Sequence, residues 1–197
     1  MRNALDDDAL RNVRSLRAVR CFRPDPVAET TVRELIDVAR WTGSARNRQP
    51  WRVTAITDPD ERCALARCGA YATFLEGAPL VLLLAVDRER GGADAEFDAG
   101  RFAQSVMLAA HARGLGSCPV SFFPASNIDA ATALAGLRQP WVVRTAIAIG
   151  HPDPSSACAT GRSAIPTGRL AVDAILRARR ERGIQGQSPL DSHADTP

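Results

Sequence analysis

The longest apolar stretch of the chain runs from Ala78 to Val86 and contains no polar or charged side chain. A strand that is apolar without alternation is typical of a sheet covered on both faces, so this stretch predicts a core strand over 79–86. It is far too short to span a bilayer. Further core strands are predicted over 51–57 and 141–149, and residues 116–123 are predicted to be extended.

Helical patterns fill most of the chain between these strands. Apolar residues three and four positions apart predict helices over 6–18 and 31–41, and the Thr31-x-x-Glu34 spacing predicts a capping box at the second. The longest pattern, over 94–113, has a broad apolar stripe with small residues and predicts a central helix. Shorter helices are predicted after an Asp58 cap with Pro59 in the first position, around 128–134 with a cap at Ser126 or Asn127, and over 170–182.

Length and composition predict a single domain. With 197 residues, 45% of them apolar, we expect one domain over 1–182 and a disordered tail over 183–197, which is rich in Gly, Gln, Ser, Asp and Pro. Five cysteines without a C-x-x-C pair indicate neither a disulfide framework nor a zinc site, so we expect a reduced, cytoplasmic protein. The first residues lack the apolar segment of a signal peptide.

Several classes of function lack their sequence signature. The net charge of +3 and the pI near 8.8 are mild for a nucleic-acid-binding protein, and the 25 basic residues are arginines, which favour planar, bidentate contacts with anions. The chain has no P-loop, dinucleotide fingerprint or G-x-S-x-G elbow, and its three histidines are scattered. We expect no metal site, and we expect a cofactor to supply the chemistry.

The polar loop from Gly43 to Trp51 separates a predicted helix from a predicted strand. Ser44, Asn47 and Gln49 place hydroxyl and amide groups in this short connection, and such groups can hold a planar heterocycle by donating and accepting hydrogen bonds. Pro50 disfavours helix at Gln49 and predicts extended backbone there. The alternative is an ordinary helix-to-strand loop with a core tryptophan and solvated amides.

A second polar segment follows the first predicted helix. Arg17, Arg20 and Arg23 alternate with Val19 and Phe22, which is unusual for a simple solvated run of charge. The alternative is that these arginines neutralise the carboxyl end of the helix, where cations are favourable.

In these residues the chain resembles the FMN-dependent nitroreductase family over about residues 10–175. The family's R-x-V-R-x-F pattern matches 17–22 and is followed by Pro26-Val27, and its S-x-x-N-x-Q-P-W loop matches 44–51. The ordered series continues at Ala78-Pro79, Asp98-Ala99-Gly100, Gln104, Gly114-Leu115-Gly116-Ser117-Cys118 and Ala148-Ile149-Gly150. No single motif is decisive, whereas the ordered series is specific.

The resemblance implies an α+β fold, a mixed β-sheet packed between helices in an intertwined, obligate homodimer, with an FMN at each of two interface sites. It also implies residue roles. Arg20, near the N1/O2 edge of the flavin, and Ser121, whose backbone with that of Val120 faces N5, would be catalytic. The implied cofactor-binding residues are Arg17, Ala18, Val19, Arg20, Ser44, Asn47, Gln49, Val120, Ser121 and, at the phosphate, Arg169 with Arg162 as the alternative.

The chain departs from the family pattern beside both polar segments. Leu16 and Ala18 stand where family members commonly have Arg and Ser, so two expected FMN contacts are absent. Thr42-Gly43 replaces the usual Ala-Pro before the loop serine. These departures bear on cofactor affinity and on which flavin is bound.

The resemblance implies an oxidoreductase in which NAD(P)H reduces FMN and a nitroaromatic, quinone or similar small-molecule acceptor then takes the electrons, in ping-pong order at one site. One alternative is a specialised branch of the family: a flavin-fragmenting synthase, a dehalogenase, or a peptide or azoline dehydrogenase. The other is a protein that binds flavin or deazaflavin without turnover. Neither nucleic acid nor a membrane is an expected partner.

Overall fold

The computed structural model describes residues 4–155 and 168–177. Residues 4–155 belong to one compact unit and residues 168–177 to a second. The helices are α1 Ala4–Ser15, α2 Glu29–Ala39, α3 Pro59–Ala66, α4 Arg88–Gly91, α5 Ala95–Ala112, α6 Ala125–Leu134 and, in the second unit, α7 Val172–Ile175. The strands are β1 Trp51–Ile56, β2 Leu80–Asp87, β3 Gly116–Ser121 and β4 Trp141–Gly150, and short 3₁₀ turns cover Ala45–Asn47, Thr73–Leu75 and Gly92–Asp94.

The four strands form one sheet in the order β1-β2-β4-β3, and each neighbouring pair is antiparallel. A single parallel bridge joins Ala18 to Ser117 at the outer edge of β3. The predicted α+β fold is confirmed. In the described part of the chain the four strands pair antiparallel, and the chain before α2 adds an isolated parallel pairing at this bridge.

β2 is buried on both faces of the sheet, as its unbroken apolar sequence predicts. On one face Val81 and Leu83 pack in a cluster with Leu65 of α3 and Ala131 of α6. On the other face the alternate residues of β2 pack in a second cluster with Leu35 of α2 and with Ala99, Phe102 and Val106 of α5. Helices therefore cover both faces, and burying whole Leu, Val and Phe side chains there stabilises the fold by roughly 1.5 to 3 kcal/mol each.

The predicted helix cap is present at α3 and absent at α2 and α6. Asp58 caps α3 as predicted, since its carboxylate accepts hydrogen bonds from the backbone N–H groups of Asp60 and Glu61. The predicted capping box at Thr31 is wrong because α2 begins at Glu29, after Ala28, which places Thr31 inside the first turn. The predicted cap of α6 is also wrong: that helix follows Pro124 without a side-chain cap.

Cys21 is disulfide-bonded, which corrects the expectation of a fully reduced protein, whereas Cys63, Cys68 and Cys118 are free thiols. No helix in the described part of the chain is long and apolar enough to cross a bilayer. Among residues 4–155 and 168–177, no three side chains of His, Cys, Asp and Glu lie close enough together to hold a metal ion.

Candidate functional site

The Gly43–Trp51 loop adopts an unusual backbone conformation. Arg46, Asn47 and Gln49 have φ values of 54°, 54° and 47°, in the left-handed region that few residues with side chains adopt. The predicted extended backbone at Gln49 is therefore wrong. Its N–H donates to the Ser44 hydroxyl at 2.9 Å, and its side-chain amide donates to Asn47 Oδ1 at 2.9 Å. These bonds turn the loop back on itself, which a proline tolerates because it restricts the preceding residue mainly against the right-handed helical region.

Residues outside the loop fix it in place. The buried carboxylate of Asp98 accepts a hydrogen bond from Ala45 N at 2.8 Å, and Arg101 Nη1 donates to the carbonyl of Gly43 at 2.9 Å. Arg48 Nη1 donates to the carbonyl of Gly91 at 2.9 Å. Strained backbone persists only where the surrounding structure holds it in place, as these hydrogen bonds do here. The side-chain amides of Asn47 and Gln49 are exposed on this strained backbone.

The Arg17–Phe22 segment lies along the outer edge of β3. Val19 N donates to the carbonyl of Ser117 at 2.9 Å, and a side chain at Gly116 would meet Val19 atoms at 2.7 to 2.9 Å, so only glycine permits this approach. Ala18, Val19 and Arg20 line a cavity of about 380 Å³ together with Cys21, Pro152, Asp153 and Pro154.

The two arginines of this segment differ in what they bind. Arg17 Nη1 donates to the carbonyls of Arg14 and Leu16 at 2.7 and 2.8 Å. These bonds agree with the alternative that this arginine neutralises the carboxyl end of the first helix. The exposed guanidinium of Arg20 lies over the Phe74 ring, 5.9 Å from its centroid. No carboxylate in the described residues forms an ion pair with Arg20, so its charge is available to an anion.

Cys118 lies near Arg20, and the positive charge of Arg20 acts on the pKa of the Cys118 thiol. Burial raises the pKa of the Cys118 thiol, and the nearby Arg20 guanidinium acts in the opposite direction. The thiol is 1% exposed, on the strand to which the Arg17–Phe22 segment is bonded.

Val120 and Ser121 end the same strand, paired with Ala146 and Thr145 of β4. Val120 is half-buried and Ser121 is exposed. A Cβ atom at Gly69 would lie 3.5 Å from the carbonyl oxygen of Ser121, so the chain after α3 borders this end of β3, and the nearby Phe74 lies under Arg20. Sequence reasoning missed Gly69 and Phe74, since neither belongs to a polar or spaced motif.

The structure brings some of the predicted site residues together and separates others. Arg17, Arg20 and Ser121 are associated with β3, at one edge of the sheet, whereas the Gly43–Trp51 loop precedes β1 at the opposite edge. Across three strand spacings and seven residues of register, Trp51 and Ser117 are about 27 Å apart. That distance is far greater than the width of three fused six-membered rings.

The two predicted phosphate ligands are not part of the first unit's described residues. Arg169 is in the second unit, is exposed, and donates from Nη1 to the carbonyl of its neighbour Gly168 at 2.8 Å. Arg162 lies outside the described residues.

Comparison with known proteins places this fold in a family. The model of the nitroreductase family matches residues 13–72 and 64–151, which together are more than half of the chain. The chain belongs to the nitroreductase family. A solved nitroreductase from Desulfovibrio desulfuricans, in complex with FMN, superposes on this nitroreductase-family chain with a TM-score of 0.72 and 26% sequence identity, covering 91% of this chain and 99% of that one.

Two curated relatives differ in what their names describe. The 5,6-dimethylbenzimidazole synthase of Rhodospirillum rubrum is 34% identical over 169 residues, covering 69% of this nitroreductase-family chain and 78% of the relative. An NADH dehydrogenase of Thermus thermophilus is 40% identical over 73 residues, which are 37% of this chain and 36% of that protein. The relatives of this chain therefore include one named as an NADH dehydrogenase and one named as a synthase.

Proposed function

We propose that this protein is an FMN-dependent oxidoreductase that takes hydride from NAD(P)H and passes electrons to a nitroaromatic, quinone or similar small-molecule acceptor. The observation that carries the proposal is the pair of polar segments at opposite edges of the sheet, each rich in the groups that a flavin needs. Bound FMN would accept a hydride at N5 and release electrons to a second substrate. The residues of the chain would bind the cofactor and orient it.

The donor set of the Arg17–Phe22 segment fits one end of a flavin. Arg20 lies beside β3 and forms no ion pair with a carboxylate of the described residues, and a cation near the N1/O2 edge stabilises the negative charge that appears there on reduction. The backbone of Ala18 and Val19 is bonded to β3 at Ser117, and we propose that the backbone of Val120 and Ser121, at the end of the same strand, faces N5. Arg17 would contribute positive charge while its guanidinium remains bonded to helix carbonyls.

The donor set of the Gly43–Trp51 loop fits the rest of the pyrimidine ring of the same cofactor, beyond the N1/O2 edge proposed to face Arg20. Ser44, Asn47 and Gln49 offer a hydroxyl and two amides, which can pair with the alternating donors and acceptors of a pyrimidine ring. Because Trp51 of this loop and Ser117, to which the Arg17–Phe22 segment is bonded, are about 27 Å apart within one protomer, we propose that the loop of one protomer and the segment of its partner build each site. The phosphate would be held by Arg169 or Arg162, since a guanidinium binds phosphate in a bidentate manner.

A homodimer is also supported by the surface of α2 and α5. Trp41 is 76% exposed and Phe97 is 68% exposed, and both line a groove of about 640 Å³ along α5. Gly100 lines this groove as well, and a Cβ there would meet nothing within 4 Å. Large exposed aromatic residues beside a small helical residue suit close approach by another helix, so we propose that this face contacts the second copy.

The first test is a visible absorption spectrum of the purified protein, recorded anaerobically before and after addition of NADH or NADPH. We expect a bound-flavin band that bleaches on addition of the donor. Absence of flavin, with no uptake of added FMN, would contradict the proposal. Parallel double-reciprocal lines with donor and acceptor would support the ping-pong order, and intersecting lines would contradict it. Light scattering distinguishes a dimer from a monomer.

A specialised synthase is the second candidate, because the R. rubrum synthase is 34% identical over most of its length. Its test is aerobic incubation of the protein with reduced FMN, followed by analysis of the small-molecule products. Formation of 5,6-dimethylbenzimidazole would support the synthase, whereas recovery of intact FMN together with turnover of an acceptor would support the oxidoreductase.

A flavin- or deazaflavin-binding protein without turnover is the third candidate. Leu16 and Ala18 remove two polar contacts common in the family, and Arg17 is bonded to its own helix, which favours weaker or altered cofactor binding. A flavin band that neither NADH nor NADPH bleaches would support this candidate. The cytoplasmic location stays a prediction.

A further inference from the structure

Asp98 is a buried carboxylate to which the proposed function assigns no contact with the cofactor. It lies on α5, is 2% exposed, and accepts a hydrogen bond from Ala45 N at 2.8 Å through Oδ2. Its other oxygen, Oδ1, lies 3.7 Å from Arg101 Nη1. A buried carboxylate is unfavourable unless it is paired or hydrogen-bonded, so these contacts account for its presence below the loop.

Arg101 completes the contact on the other side of Ser44. Its Nη1 donates to the carbonyl of Gly43 at 2.9 Å, and a Cβ atom at Gly43 would lie 3.3 Å from Nη2. Asp98 and Arg101 are separated by three residues on α5 and therefore lie on the same helix face. Together they bind the backbone immediately before and immediately after Ser44.

This arrangement restricts a flexible point of the backbone. Residue 43 is glycine, whose backbone is the least restricted of any residue. Thr42 and Ser105 of α5 add a hydroxyl–hydroxyl hydrogen bond of 2.8 Å at the same point. The side chains of α5 thus restrict a backbone that its own sequence leaves free.

We propose that Asp98 and Arg101 are positioning residues, the Asp98–Arg101 clamp, which holds the Gly43–Trp51 loop in its flavin-binding conformation before the cofactor arrives. The inference rests on the proposed function. The clamp fixes Ala45 and Gly43, so Ser44 is held between them. Three residues that follow, Arg46, Asn47 and Gln49, then keep left-handed backbone because the start of the loop cannot move.

The test measures the loop in the FMN-free protein and the affinity for FMN separately. Hydrogen exchange of peptides spanning residues 43–50 reports on the Ala45 amide, and quenching of FMN fluorescence reports on binding. The variants are Asp98→Ala, which removes the acceptor, and Asp98→Asn, which keeps an acceptor oxygen without the charge. Glu96→Gln is the matched control, because Glu96 lies on the same helix and its partner is the exposed Arg88.

We expect Asp98→Ala to speed exchange of the Ala45 amide by about ten-fold to one-hundred-fold and to weaken FMN binding by about ten-fold, since a hydrogen bond to a charged group is lost. Asp98→Asn should fall between Asp98→Ala and the unaltered protein, and Glu96→Gln should change neither quantity. A folded Asp98→Ala protein with unaltered exchange and FMN affinity would overturn the proposal, as would equal effects of Glu96→Gln.

A second variant keeps the test decisive if Asp98→Ala does not fold. Arg101→Gln removes the bond to the Gly43 carbonyl from a half-exposed side chain, and we expect faster exchange across residues 43–46 and weaker FMN binding. Unaltered exchange in this variant would overturn the clamp. If the unaltered protein binds no FMN, the proposed function fails, while the exchange measurements on FMN-free protein still decide whether the clamp holds the loop.

Discussion

The Arg17–Phe22 segment and the Gly43–Trp51 loop differ in how the fold holds them. The segment is bonded to β3 through Val19 and to the chain after β4 through Cys21, and its arginine side chains are exposed. The loop has ordinary residues in left-handed backbone and is bonded to α5 and to the Gly91 carbonyl by side chains on both sides.

The difference separates two ways of building a binding surface. The Arg17–Phe22 segment offers charge on regular extended backbone, so we expect it to act through the strength of its electrostatic contacts. The Gly43–Trp51 loop offers neutral amides on strained backbone, so we expect it to act through a geometry that is fixed in advance. Substitutions in the two regions should therefore affect stability and cofactor binding in different proportions.

Two glycine substitutions should give the largest effects. A Cβ at Gly91 would meet Ala95 at 2.5 Å and Pro50 at 3.0 Å, and all three residues are buried. Gly91→Ala should therefore destabilise the protein by about 1 to 3 kcal/mol. Gly116→Ala, which would displace the partly exposed Val19, should destabilise by about 1 kcal/mol. Gly116→Ala should nevertheless release more flavin than Gly91→Ala does. Urea unfolding and flavin content check both, and the reverse order in either measurement would contradict the comparison.

Removal of the Arg20 charge should affect binding more than folding. Arg20→Ala should weaken FMN binding by about ten-fold or more and slow flavin reduction, because a charge-assisted contact is lost, while the dimer remains folded. Arg23→Ala is the matched control, since Arg23 directly follows the segment and forms an exposed ion pair with Asp25. FMN titration and stopped-flow reduction measure the effect. Flavin content and reduction rate equal to those of the unaltered protein would rule out the role of Arg20.

The thiol beside Arg20 predicts a pH dependence of stability. Burial raises the pKa of Cys118 above its ordinary value of 9.0, so above that pH the unfolded chain loses a proton that the folded protein keeps. Stability should be complete below pH 9 and fall above it, by up to about 1.4 kcal/mol per pH unit for one thiol. Urea unfolding between pH 7 and 10 measures the slope. Cys118→Ala should reduce the slope without abolishing it, because burial also raises the pKa of Cys68; an unchanged slope would refute the assignment.

The smallest effect is expected at Arg46. Arg46→Gly should stabilise the protein by about 0.5 kcal/mol, since glycine adopts a positive φ without steric cost, although it also loses more entropy on folding. Arg48→Gly is the control: Arg48 has φ −70° and a side-chain bond to Gly91, so the variant should be destabilised by about 1 kcal/mol. Equal destabilisation of both variants in urea would show that the loop is not strained at Arg46.

The sequence also led to wrong expectations, and each has a physical reason. Thr31 has the spacing of a cap, but the helix begins two residues before it, since local spacing does not decide which of several turns starts a helix. Extended backbone was expected at Gln49, where the bond to Ser44 imposes a left-handed turn. The polar residues of the candidate site could be named from their order along the chain, whereas Gly69, Phe74 and the roles of Asp98 and Arg101 could not.

The sequence by itself determined the elements of this protein and its family. The four strands, the central helix and the Asp58 cap follow from interactions among residues a few positions apart, which periodicity and cap chemistry record directly. Only the tertiary structure decided the conformation of the Gly43–Trp51 loop and its separation from the Arg17–Phe22 segment. Those features depend on partners such as Asp98 and Arg101, which lie 53 and 58 residues from the loop atoms that they bind, and on a sheet order that no local pattern specifies.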